Sequence, residues 1–136
     1  MLSGVIVSGQ EKPTVDIALY SRQCVLPFHK DTHSADEKTK FRVLKDYEHA
    51  GTSYVIIELL RIRKAFEASY ASCYEQAVKD ICSAISYSID ERILHNWSVI
   101  LASFMASDGH IKFPFSYDQV FKMVVRCVEY QNEECL

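Results

Sequence analysis

From Ser34 onward, apolar residues recur every three to four positions, and this periodicity limits the fold more than any other feature. It predicts a stack of amphipathic helices rather than a sheet. The stop and start signals divide the stretch. Ser34-Ala35-Asp36-Glu37 forms a capping box, in which the Ser side chain accepts from an orphan N–H and the Glu reaches back. The helix it opens runs to about Ala50, where Gly51 is a good C-cap. Thr52 or Ser53 begins a second, to about Tyr70, and a third covers about Ser72 to Tyr87. Asp90 opens a fourth to about Ser107, closed by Gly109. Ser116 caps the last, from Tyr117 to about Gln131, after the connector around Pro114.

In the helix after Asp90, the residues Ile93, Leu94, Trp97, Ile100, Leu101, Phe104 and Met105 share one face at 100° per residue. In the helix after Ser53, Ile56, Leu59, Phe66 and Tyr70 form a stripe, and Arg63 falls inside it. A cation on an apolar stripe either snorkels to the edge or is paired.

The first thirty residues read differently. Val5 to Ser8 follows Gly4 as a β-branched run, and Gln23 to Phe28 is a second apolar run containing Pro27. Both read as short strands, about 4–8 and 23–28. Between them Thr14 is placed to cap a short helix over Val15 to Tyr20, with Asp16 in its first turn. The expected fold is mainly α with a small N-terminal β piece, and about five helices in a bundle. Two regions are expected, 1–30 and 31–136.

Composition supports a folded helical chain. Of 136 residues, 49% are hydrophobic, and only 4 Gly and 3 Pro occur, too few for a turn-rich β-sandwich. The net charge is −3, and no third of the chain is strongly basic, which argues against bulk electrostatic grip on nucleic acid. The cysteines, Cys24, Cys73, Cys82, Cys127 and Cys135, include no CxxC pair, so a zinc or redox motif has no support. His29 and His33 are four apart but lie in a polar loop with no third ligand, so no metal site is expected. The start MLSGVIVSGQ has no basic leader, and no run is long enough to span a membrane. A cytoplasmic protein with reduced thiols is the simplest expectation.

No GxxxxGK[ST] or GxGxxG loop is present, so the chain has no phosphate cradle of its own. Ser8 and Gln10 stand at the carboxyl end of the first expected strand, where open α/β sheets place ligands. Arg22 follows the short helix, and an arginine fork suits charge spread over phosphoryl oxygens.

The run GVIVSGQEKPTVDIALYSRQCVLPF resembles the end of the ATPase core in helicase-like P-loop ATPases of the AAA+ and superfamily 3 type. These are carried by bacterial mobile elements and phages and are often fused to or partnered with primases. LLRIRKAF, ERILHNWSVILASF and FPFSYDQVF resemble the same family's helical tail. The resemblance implies a C-terminal part of a replication or mobilisation ATPase. Ser8 and Gln10 match the sensor end of a strand, and Arg22 matches an arginine finger acting on a neighbouring subunit. Arg63 is a second candidate, as a further sensor touching the nucleotide or as an internal ion pair. ATP and Mg²⁺ are implied for the intact enzyme and neither for the isolated chain, which lacks the phosphate loop. ATPase subunits or an upstream phosphate-loop segment, and DNA, are the partners implied, and the family implies an oligomer. The competing expectation is a non-enzymatic helical domain that binds a protein through exposed apolar surface.

Overall fold

A computed structural model describes residues 14–28, 34–51 and 54–135. Within them the helices are α1 (Ile17–Tyr20), α2 (Ala35–Ala50), α3 (Tyr54–Ala84), α4 (Glu91–Ser107) and α5 (Tyr117–Glu133). The described part is mainly helical.

The capping signals act as their chemistry dictates. Ser34 Oγ accepts from Glu37 N at 3.2 Å, and Glu37 Oε2 accepts from Ser34 N at 2.7 Å. Ser116 and Gln119 form the same reciprocal pair at α5. Asp90 caps α4 by accepting from Arg92 N and Ile93 N. Gly51 and Gly109 close their helices at φ 90° and 84°, a region open to glycine because it has no Cβ.

Two expectations are corrected. The helices expected over 53–70 and 72–87 are one continuous helix, α3. Nothing in Tyr70-Ala71-Ser72 breaks a helix. Ser69 Oγ donates to Ala65 O and Ser72 Oγ donates to Ser69 O, so both hydroxyls are satisfied inside the helix instead of capping a new one. Phe66, Tyr70 and Tyr74 stack at four-residue intervals straight through the expected break, with ring centroids 5.3 and 6.4 Å apart.

The strand expected at 23–28 is not a strand, and there is no sheet among the described residues. A strand needs a ladder partner, and Pro27 already lacks a donor. Instead Val25 N donates to the Gln131 side-chain oxygen at 3.4 Å, while Phe28 is left exposed. The strand expected at 4–8 lies outside the described residues.

The core sits where the carboxyl half of α3 meets α4 and α5. Ala77, Ile81, Ile93, Trp97, Leu101, Val124 and Val128 are fully buried there. On α4 the expected stripe is buried at Ile93, Trp97, Leu101 and Phe104, with Ile100 at the exposed edge. Asn132 of α5 pins the α3–α4 connection. Its Nδ2 donates to Ser88 O at 3.1 Å and its Oδ1 accepts from Asp90 N at 3.0 Å. By contrast α2 has no buried residue, and residues 54–60 of α3 are all exposed.

Candidate functional site

The short segment around Arg22 is built by local hydrogen bonds and then fastened to the helices. Thr14 Oγ1 accepts from Asp16 N at 3.1 Å. Asp16, rather than Thr14, is the N-cap, accepting from Ala18 N at 2.8 Å and Leu19 N at 3.3 Å. A carboxylate this short and close outcompetes the hydroxyl two residues earlier for the orphan donors. One helical turn follows and places Tyr20 and Ser21 inward, each 2% exposed.

The fastening is polar. Gln131, fully buried on α5, donates from Nε2 to Tyr20 O at 2.9 Å and to Gln23 O at 2.8 Å. Its Oε1 accepts from Trp97 Nε1 at 3.0 Å and from Val25 N. Asn96 Nδ2 donates to Ser21 O at 3.2 Å. The carbonyls of residues 20, 21 and 23 are therefore all held by side chains of α4 and α5. Arg22, between them, points its own side chain to solvent and makes no ion pair among the described residues. Beneath the turn, burial pushes the Tyr20 hydroxyl pKa up to about 12, with Tyr130, Glu134 and Cys135 acting in the same direction.

Arg63 is in a different place. Its Nε donates to Glu67 Oε1 at 2.7 Å, an i,i+4 pair on an exposed stretch of α3. That hydrogen bond, and then the Glu67 charge, raise its pKa. The guanidinium is neither buried nor unpaired. It borders a shallow apolar groove with Ile56, Leu59 and Phe66, and no residue of 14–28 lines that groove. Ser8, Gln10, His29 and His33 lie outside the described residues. Among the described residues no cluster of His, Cys, Asp or Glu could hold a metal ion.

Comparison with protein-family models, curated proteins and solved structures found no match. The chain's own geometry is therefore what bears on function.

Sequence reasoning missed Gln131, Asn132 and Asn96, the residues that hold the turn. Gln131 stands in a polar run, Tyr130 to Glu134, that reads as a fraying helix end. Two further polar contacts also went unread: Tyr74 Oη with His95 Nδ1 at 2.5 Å, and Tyr117 Oη donating to Asp80 at 2.5 Å. The second, after burial, contributes to a raised Tyr117 pKa. Among the described residues no helix is long and apolar enough to cross a membrane.

The N-termini of α2, α4 and α5 are capped by their own Ser34, Asp90 and Ser116 side chains. No phosphate loop occurs anywhere in the chain.

Proposed function

We propose that this chain is the C-terminal part of an ATPase of DNA replication or mobilisation, and that it offers Arg22 to a nucleotide held by a neighbouring subunit. The observation that carries the reading is the Arg22 turn. A guanidinium acting across a subunit boundary has to be exposed, free of local partners and mounted on backbone that does not yield. Arg22 is exposed and has no ion pair among the described residues, and Asn96 and Gln131 hold the carbonyls around it.

In this reading the phosphates and Mg²⁺ belong to the neighbour, and the isolated chain does not hydrolyse ATP. Ser8 and Gln10 keep the sensor role on resemblance alone. Arg63 is already engaged by Glu67, which favours its role as an ion pair over contact with a nucleotide. The test is ATP hydrolysis by the chain combined with a phosphate-loop ATPase subunit of the kind the resemblance implies, with and without Arg22→Ala.

A second reading, a helical protein-interaction domain, is favoured by one observation. Large apolar residues of α2 and of the first turns of α3, among them Phe41, Tyr47, Ile56 and Leu60, are more than half exposed. In that reading Arg22→Ala changes no activity.

A further inference from the structure

Gln131 brackets a cysteine. Its carboxamide donates to Gln23 O at 2.8 Å and accepts from Val25 N at 3.4 Å. Those two backbone groups flank one residue, Cys24. The glutamine therefore fixes the backbone of Cys24 one side-chain length from α5. Helical side chains lean toward the amino-terminal end, so the patch that Gln131 covers lies over the preceding turn of α5. That turn carries Cys127, four residues back on the same face. Cys127 is 6% exposed, whereas Cys24 is open to solvent.

The two thiols also act on each other. Burial pushes the Cys24 thiol pKa up to about 11, and the charge of Cys127 pushes it the same way. Burial raises Cys127 as well. Cys73 and Cys82 stand apart on α3, separated by about 13.5 Å along its axis, too far to bridge each other.

We infer that Cys24 and Cys127 form an oxidisable pair, whose disulfide latches the backbone around Cys24 covalently to α5. The co-reactant is a low-molecular-weight disulfide such as oxidised glutathione. Cys24, the exposed thiol, gives up its proton and attacks one sulfur of that disulfide. One small thiol leaves, and a mixed disulfide remains on Cys24. Cys127 then gives up its proton, attacks the Cys24 sulfur and expels the second small thiol. Two protein thiols are oxidised, one small disulfide is reduced, and the two protons end on the two released thiols. The buried Cys127 is shielded from a bulky reagent but not from its neighbour. Thiols of high pKa attack slowly and leave poorly, so the bond is slow to form and slow to be reduced. That suits a lasting latch rather than a fast peroxide sensor. The latch acts on the same stretch of backbone as Gln131 and does not depend on the role of Arg22.

Peptide mapping of the full chain tests it. The chain is reduced, held in excess oxidised glutathione at mildly alkaline pH, alkylated, digested and read by mass spectrometry without reduction. The expected product is an intramolecular link between Cys24 and Cys127, lighter by two hydrogens than the free thiols and located by fragmentation. Cys24→Ser, at an exposed position, should abolish the link and leave Cys127 as a thiol. Cys135→Ser should leave the link in place. Oxidation should slow tryptic cleavage after Arg22 about tenfold, and in Cys24→Ser it should change nothing. Cys24 recovered as a free thiol, as a lasting mixed disulfide, or joined to Cys135 or to a second chain overturns the pairing. A Cys24–Cys127 link that leaves cleavage after Arg22 unaltered overturns the latch.

Discussion

The indole N–H of Trp97 donates to the side-chain oxygen of Gln131 at 3.0 Å, and both residues are fully buried. This one contact joins the core to the turn that carries Arg22, because the same glutamine holds the carbonyls of Tyr20 and Gln23. A buried amide is stable only when its donors and acceptor are all used, and here they are.

Gln131→Leu keeps the volume but orphans the Trp97 N–H and two backbone carbonyls. It should cost roughly 2–4 kcal/mol in urea unfolding. It should also speed tryptic cleavage after Arg22, since the turn loses its anchor. Unchanged cleavage would mean that the turn is held by other contacts.

Trp97→Ala removes the largest fully buried side chain of the core. The cavity and lost contacts should destabilise the chain by roughly 3–5 kcal/mol, read from the denaturant midpoint at constant slope.

Ser98 behaves in the opposite way. Its Oγ is buried and has no hydrogen-bond partner among the described residues. Ser98→Ala removes an unsatisfied group and almost no volume, so the midpoint should rise, by about 1 kcal/mol.

Stability should fall in alkali. Burial holds the Tyr20 proton more tightly in the folded chain, with the pKa raised from 10.0 to about 12. A raised folded-state pKa contributes stability that is whole below the unfolded value of 10.0 and is lost as pH rises through about 12. Tyr117, raised by burial and by Asp80, acts in the same direction. The urea midpoint should be level in this respect below pH 10 and then decline, and Tyr20→Phe should make the decline shallower.

The helices were legible because caps and periodicity are local. Ser34, Asp90 and Ser116 announce their helices, and the face from Ile93 to Phe104 is the core face. The continuity of α3 was hidden because Ser69 and Ser72 look like caps, yet their hydroxyls bond within the helix. The apolar run at 23–28 looked like a strand because β propensity says nothing of whether a partner strand is present. At the candidate site, Arg22 was visible as a charge after a short helix. Gln131 was not, since the turn carbonyls it holds lie more than a hundred residues away and only the fold brings them together.

The proposed action of Arg22 on a neighbour's nucleotide is read most directly as ATP turnover in trans. The chain alone should show none. Combined with a phosphate-loop ATPase subunit of the kind the resemblance implies, the wild-type chain should support hydrolysis. Arg22→Ala should lower that rate about 10³-fold or more while leaving thermal stability unchanged, and Arg22→Lys should not restore it, because an ammonium lacks the planar fork. Turnover by the isolated chain, or a combined rate indifferent to Arg22→Ala, would contradict the account.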